Sequence, residues 1–152
     1  MSTPKFYSYP GIGEWALTNR GYSQAVRIQD RIECSGQGGW TAGPNGITFP
    51  TSLTDEIAQA FINVDTNLRH AGGKGWSQVY RLYSFHTEIN AEVSGIMKAE
   101  FEKWGIEGGF IWTQIGVAGL GAEGMRVELE VVAWDPEGDD AEVKGEKEAV
   151  GK

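Results

Sequence analysis

Cysteine and histidine are scarce in this sequence, and their scarcity limits the chemistry available to it. The single cysteine, Cys34, excludes a disulfide within the chain and is typical of a reducing compartment. The two histidines, His70 and His86, are too few to form a His/Cys zinc site with it. We therefore predict a protein with no metal site and no organic cofactor.

Long apolar runs are also absent. No segment approaches the ~20 consecutive apolar residues that cross a bilayer. Residues 1–10 lack an apolar run behind a basic patch, so we expect no secretory signal. These absences predict a cytoplasmic protein with no membrane partner, and they leave a mitochondrial or peroxisomal pool open.

Positive charge is the third deficit. The 13 lysines and arginines stand singly against 21 acids, giving a net charge of −8. Because an acidic chain without a basic patch repels phosphate backbones, nucleic acid is disfavoured as a partner. Residues 135–152 contain seven acids, three lysines and no aromatic residue, a net charge of −4. We predict one domain over residues 1–134 and an acidic, disordered tail over 135–152.

The periodicity of apolar residues predicts the secondary structure. Thr51–Ala71 has one apolar stripe with three- and four-residue spacing, which indicates a helix, and a second helix is predicted over about Asn90–Trp104. The remaining segments are predicted as follows: Val26–Ile28 and Arg31–Gly36 as a hairpin, Trp40–Phe49 as a loop, and Gly75–His86, Phe110–Ala118 and Met125–Trp134 as strands. Two such helices can cover only one sheet face, so the other face is predicted to meet another subunit.

Gly119–Gly124 matches the G-x-G-x-x-G pattern of dinucleotide-binding loops. That motif acts through the N-terminus of a following helix, which directs free N–H groups at the phosphates. Here an alternating strand follows instead. The sequence therefore predicts a hairpin loop without a phosphate site.

Glu128 and Glu130 lie two residues apart on the last strand, so both point to the sheet face away from the helices. They fit either a solvated strand face or a pair of partly buried acids at a subunit interface. In the second case their pKa values would be raised and one could act as a general base. Arg126 is predicted on the same face, as a partner for either acid. Cys34 is predicted to point to the face opposite Ser35, as a buried, inert thiol.

Several segments together resemble the RidA/YjgF family of enamine/imine deaminases. They span residues 20–134 in one collinear order, with one residue inserted in the Gly119–Gly124 loop. The matching segments are Gly21–Val26 (GYSQAV), Ser35–Gln37 (SGQ), Asn63-Val64 within the first long helix, the Val79–Phe85 strand and Val127–Ala133 (VELEVVA).

The resemblance implies a chorismate-mutase-like α+β fold: a mixed sheet with two helices on one face, assembled as a homotrimer with a small-molecule cleft between each pair of subunits. It implies that Tyr22, Ser35 and the Gly36 backbone lie in this cleft and that Glu128 holds or activates a water. The other substrate-binding positions that it implies are Ser94, Trp112, Thr113 and Gln114.

The chain departs from the family at one of these positions. The resemblance places Trp112 where deaminating members use an arginine to bind the substrate carboxylate. An indole has one N–H and no charge, so the usual imino acids should bind poorly. We expect a hydrolase-, deaminase- or isomerase-like enzyme acting on a neutral, aromatic or otherwise altered reactive intermediate. The alternative is a non-catalytic ligand-binding or chaperone-like trimer, and the net charge disfavours an endoribonuclease or translation inhibitor.

Overall fold

The longest helix, α2, forms where the apolar stripe predicts it. It spans Leu53–His70, and the Ser52 side chain caps it by accepting the backbone N–H of Asp55 at 3.3 Å. Acids lie in its first turn and Arg69 and His70 in its last, which suits the helix dipole. Its stripe residues Ile57, Phe61, Val64 and Leu68 are completely buried. The helix prediction is confirmed to within two residues at each end.

The second predicted helix, α3, is also confirmed. It spans Ala91–Trp104, where the Asn90 side chain accepts the N–H of Val93 at 2.9 Å, and it ends at Gly105 with a φ of 67°. A further helix, α1, spans Ile12–Arg20 and was not predicted. It ends in the same way, at Gly21 with a φ of 77°.

The structure, a computed structural model, describes residues 3–44 and 46–138. Its main sheet has the strand order β1-β2-β3-β9-β7-β8, with β4 added beside β9, and β5 and β6 form a separate hairpin. The pair β7–β8 is parallel and the other pairs are antiparallel, so the sheet is mixed. The strands are β1 Lys5–Tyr7, β2 Ala25–Ile28, β3 Arg31–Cys34, β4 Gln37–Gly38, β5 Thr41–Gly43, β6 Gly46–Thr48, β7 Val79–His86, β8 Ile111–Gly116 and β9 Val127–Trp134.

The core lies between this sheet and helices α2 and α3. Alternate residues of β9 point into it: Val127, Leu129, Val131 and Ala133 are at most 1% exposed. The ring of Phe61 stacks on that of Trp76 with 4.6 Å between centroids. This arrangement is the predicted α+β fold, with a mixed sheet and two helices on one face.

Three local predictions are corrected. Gly119–Gly124 connects β8 to β9, but β7 lies between those strands, so the loop is a crossover and not a hairpin. Trp40–Phe49 contains the β5–β6 hairpin. The predicted strand Gly75–His86 begins with a 3₁₀ turn, Gly75–Gln78, before β7. The β2–β3 hairpin is confirmed, with Gln29 in the left-handed region at a φ of 53°.

The fold continues past Trp134 through a buried ion pair. Arg27 Nη2 lies 2.5 Å from Asp135 Oδ2, and both side chains are nearly inaccessible. Gln78 Nε2 donates to Asp135 Oδ1 at 2.8 Å, and Arg27 Nη2 also donates to the carbonyl of Ala71. Burial by itself raises the pKa of Asp135, but the bonds from Arg27 and Gln78 outweigh it and hold the pKa below its usual value.

Asp135 is thus an integral part of the domain, although it is the first residue of the predicted tail. Residues 139–152 lie outside the described residues, and their disorder stays a prediction. None of the described helices is long and apolar enough to cross a membrane.

Removing the Asp135 carboxylate should destabilise the protein strongly, because it leaves Arg27 charged and buried without compensation. We expect Asp135→Ala to lower the free energy of unfolding by about 3–5 kcal/mol, measured by urea denaturation at pH 7. Glu137→Ala is the matched control, because Glu137 is exposed and pairs only with the exposed Lys74. A wild-type urea midpoint for Asp135→Ala would show that the ion pair contributes nothing.

Candidate functional site

The face of the sheet opposite the helices carries two acids on one strand. In the β7–β9 pairing, Glu130 lies opposite Tyr83 and Glu128 opposite Phe85. Their neighbours along β9 point into the core, so the prediction that Glu128 and Glu130 share the outer face is confirmed. We call this surface the open face.

Glu128 rests on the backbone of Gly36. A Cβ at Gly36 would overlap the Glu128 carboxylate, so any other residue here would displace the carboxylate from this position. The Glu128 side chain is half-buried, and burial raises the pKa of its carboxyl, with a further rise from the negative charge of Glu130. No described residue forms an ion pair with either acid. A carboxylate with a raised pKa and no cation beside it is a better proton acceptor than an ordinary surface carboxylate.

Tyr22 and Ser35 both line a concave region of about 1010 Å³, which also includes the second acid, Glu130. Ser35 directly precedes Gly36, on which Glu128 rests. Tyr22 also borders a smaller cavity of about 90 Å³ that contains Glu128. The structure therefore brings together four of the predicted site residues: Tyr22, Ser35, Gly36 and Glu128. We call them the acid group.

A buried chain of polar side chains supports the acid group from behind. Trp40 Nε1 donates to the Tyr9 hydroxyl at 3.2 Å, and Tyr9 donates to Gln37 Oε1 at 2.8 Å. Gln37 Nε2 in turn donates to Gln24 Oε1 at 2.9 Å. Burial raises the pKa of Tyr9 to about 12 despite the Trp40 bond, so its hydroxyl stays protonated. Sequence reasoning missed this support, although Gln37 belongs to the recognised Ser-Gly-Gln segment.

Three other predicted residues lie on the helix-covered face, and we call them the indole group: Ser94, Trp112 and Gln114. Trp112 Nε1 donates to Ser84 Oγ at 2.8 Å. The Trp112 ring packs edge-on against Phe101 of α3, with 5.0 Å between centroids. Ser94 Oγ donates to Gln114 Oε1 at 3.3 Å. The sheet separates this group from the acid group within one chain.

Thr113 is the remaining predicted residue, and it alternates with Trp112 along β8. It is exposed on the open face, opposite Tyr83 of the parallel strand β7. Its flanking residue Ile111 points the same way and is 55% exposed. The open face of β8 therefore offers a hydroxyl and apolar surface but no cation.

His86 is joined to the indole group through Ser84. Its Nε2 lies 2.8 Å from the Ser84 hydroxyl, which already accepts the Trp112 N–H, so the Ser84 proton can go to Nε2 of a neutral imidazole. His86 is buried, and burial lowers its pKa. It is therefore a neutral core side chain at pH 7. His70 lies at the end of α2, edge-on to the ring of Tyr7.

Arg126 does not pair with Glu128 or Glu130, which corrects the prediction. Its Nε lies 2.6 Å from Glu56 Oε2, and its backbone N–H donates to Glu56 Oε1 at 2.7 Å. Glu56 is completely buried at the start of α2, some 70 residues away in sequence. The prediction of a buried, free Cys34 is confirmed, and burial raises the pKa of its thiol. The part of the chain that the structure describes holds no cluster of His, Cys, Asp and Glu suited to a metal.

Comparison with known proteins identifies the family. The profile of the family described as endoribonuclease L-PSP matches residues 14–134. The solved structure of protein YjgH is 27% identical, with a TM-score of 0.73, covering 90% of this chain and 99% of YjgH. RidA from the Antarctic bacterium Psychrobacter sp. PAMC 21119 is 24% identical, with a TM-score of 0.64 over 74% of this chain and 87% of RidA.

TdcF from E. coli, solved with bound serine, is also similar in fold. It is 22% identical, with a TM-score of 0.63, covering 74% of this chain and 87% of TdcF. No curated protein sequence matches the chain.

His86 should make the protein less stable in mild acid. Because its native pKa lies below that of an unfolded histidine, about 6.5, the unfolded chain binds more protons and stability falls as pH drops below that value. We expect His86→Gln to reduce the loss of unfolding free energy between pH 7 and pH 5, where one such group contributes at most about 1.4 kcal/mol per pH unit. Equal slopes for His86→Gln and wild type would contradict this role.

Proposed function

This chain belongs to the endoribonuclease L-PSP family of RidA/YjgF proteins, and from that premise we propose that it binds and transforms a reactive small molecule. The proposed substrate is an imine- or enamine-type intermediate, or a related neutral or aromatic compound, that is hydrolysed or isomerised without a metal. The sites would be clefts between the subunits of a homotrimer. The half-buried Glu128 carboxylate, held over Gly36 without an ion-pair partner, is the observation that carries this proposal.

Imine hydrolysis moves both protons of a water to nitrogen. In the proposed first step Glu128 takes one proton as the water oxygen bonds to the imine carbon, and it passes this proton to nitrogen, which receives the C=N electron pair, so that a carbinolamine forms. In the second step the carboxylate takes the hydroxyl proton of the carbinolamine and delivers it to nitrogen as the C–N bond breaks, which releases an amine and leaves a carbonyl. The raised pKa of Glu128 suits both directions of transfer. The hydroxyls of Tyr22 and Ser35 would orient the nitrogen by hydrogen bonding.

The separation of the acid group from the indole group supports a site shared between subunits. In one chain the sheet lies between them, so a ligand can touch both only if they come from different copies. The indole group includes residues of β8, the edge strand of the sheet, where a second copy can approach. We therefore propose that each cleft combines the acid group of one subunit with Trp112 of the next.

The side of the proposed cleft that Trp112 forms carries no charge. The Trp112 N–H is already bonded to Ser84, so the indole offers a ligand only ring surface. This favours a substrate that is neutral at that end over the imino acids that arginine-bearing relatives bind. It also favours a second candidate, a trimer that binds its ligand without transforming it.

The family description does not lead us to propose RNA cleavage. The net charge of −8 opposes binding of a phosphate backbone. His86 is buried and bonded to Ser84, and His70 lies at the end of α2, so neither imidazole joins the acid group. A paired-imidazole acid–base mechanism is therefore not available at this site.

Replacement of the Glu128 carboxylate should abolish catalysis. We expect the wild-type protein to accelerate hydrolysis of N-benzylidenemethylamine, an uncharged aromatic imine, measured by benzaldehyde absorbance. Glu128→Gln should reduce the rate by about 100-fold or more, because general acid–base catalysis typically contributes 10²–10⁴-fold. Glu107→Gln is the control, because Glu107 is exposed in the turn after α3. A wild-type rate for Glu128→Gln would refute the acid–base role, and binding without turnover would favour the second candidate.

Sedimentation equilibrium should give a mass near three times 16.6 kDa. Removing residues 139–152 should leave the trimer intact. Mixed trimers of Glu128→Gln and Trp112→Ala subunits should be more active than trimers of either variant alone, since some clefts then combine two intact groups. A monomer in solution would remove the proposed shared cleft.

A further inference from the structure

The unpredicted helix α1 places a free cation beside the acid group. Arg20 is the last residue of α1, and its guanidinium carbon lies 5.6 Å from the ring centroid of Trp15, in a cation–π contact. Within residues 3–44 and 46–138, no carboxylate forms an ion pair with Arg20. The aromatic ring thus holds the guanidinium while its N–H groups stay available for a ligand.

Arg20 and Trp15 stand where two cavities meet. The inner one, of about 90 Å³, contains Glu128, Tyr22 and Trp40. The outer groove, of about 890 Å³, runs along Ile47–Thr51 and the glycine loop. Both include Trp15 and Arg20 in their walls, so a ligand that occupies both cavities lies beside this pair.

The sizes of the cavities indicate how a ligand divides between them. The inner cavity is smaller than the roughly 150 Å³ space that accommodates benzene in an engineered protein, so it admits only a small group. The outer groove falls within the roughly 300–1,000 Å³ range of small-molecule sites. A ligand would therefore reach Glu128 with a small end and place its body outside.

We infer that Arg20, stacked on Trp15, binds the oxyanion of such a ligand, a carboxylate or a phosphate remote from the reacting atoms. This inference rests on the proposed function and adds to it a substrate class: a small reactive end joined to an anionic body. A guanidinium fork matches the oxygens of either anion in a bidentate arrangement.

The other charged groups of the outer groove do not compete for this role. Arg126 is already bound to Glu56, and its Nη2 donates to the carbonyls of Pro50 and Thr51. Glu123 is the one acid in the groove lining and repels anions. Arg20 is therefore the cation on which anion binding depends.

Isothermal titration of the full-length protein with three matched probes tests this subsite. Phenyl phosphate and benzoate carry the two candidate anions, and benzyl alcohol has the same ring without charge. We expect at least one anion to bind about 10-fold or more tightly than benzyl alcohol, with an affinity that falls as salt rises. The tighter of the two anions identifies phosphate or carboxylate as the preferred group.

Arg20→Gln should weaken binding of the preferred anion by about 10-fold or more and leave benzyl alcohol unchanged. Arg20→Lys keeps the charge without the fork and should show an intermediate loss. Arg69→Gln removes an exposed arginine from α2, far along the chain from the subsite, and should bind as wild type does. Circular dichroism of each variant should match wild type, because both arginines are exposed at helix ends.

Wild-type anion affinity in Arg20→Gln would overturn the inference, as would equal binding of benzyl alcohol and both anions. Glu128→Gln separates this result from the proposed function. If Glu128→Gln retains imine hydrolysis while Arg20→Gln loses affinity for the anion, the acid–base proposal fails and the proposal of an anion subsite is supported. If Glu128→Gln loses hydrolysis while Arg20→Gln binds normally, the subsite fails alone.

Discussion

The placement of the Glu128 carboxylate on the bare backbone of Gly36 is the contact on which the rest of the site depends. Burying a carboxylate without a cation is unfavourable, and Glu128 would turn toward water if it were free to move. The strand that carries Glu128 and the segment that contains Gly36 must therefore both be held in place. On one side, the alternate residues of β9 are locked into the core beneath α2. On the other, the buried chain from Trp40 to Gln24 holds the Gln37 side chain, which donates to the carbonyls of Ser35 and Gly36. The packing of the core thus holds a carboxylate without a cation in a half-buried position at the surface of the domain.

The same reasoning explains why cations are kept away from this acid. Arg126 precedes Glu128 by two residues, and direct pairing would lower the pKa of Glu128 and make it a weaker base. Instead Glu56, at the start of α2, binds both the side chain and the backbone of Arg126. The buried Glu56 therefore has a second effect besides anchoring the strand, because it keeps Arg126 occupied.

Features with a strong local period could be predicted from the sequence, and features that depend on distant partners could not. The stripe of α2 and the alternation of β9 each identify a buried face without knowledge of the fold. Helix α1 was missed because only Gly13 and Ala16 of its nine residues are buried, which leaves no apolar stripe. The pairing of Arg126 with Glu56 and the crossover of Gly119–Gly124 depend on which strands are neighbours, and periodicity does not reveal strand order.

Prediction of the site itself followed the same division. The resemblance of short segments predicted Tyr22, Ser35, Gly36 and Glu128 as site residues, and these four lie close together in the structure. Which side chains of β8 point toward the helices was harder to predict from the sequence. Ile111, Trp112 and Ile115 make both faces of this strand partly apolar. Neither alternation nor resemblance indicated that Trp112 lies across the sheet from Glu128. A division of the site between two faces becomes visible only when the strands are assembled.

Together, the uncharged Trp112 and the free Arg20 constrain how a ligand can lie in the proposed cleft. Arg20 belongs to the chain that supplies Glu128, whereas Trp112 would come from the neighbouring subunit. A ligand in contact with both would direct its charge toward α1 and its neutral part toward the neighbour. The resemblance implies the opposite polarity in relatives that have arginine at the position of Trp112. Glu128 would then face a different atom of the ligand than the corresponding acid does in those relatives. A change in the position of the anion-binding arginine can therefore change the reaction while the catalytic acid keeps its place.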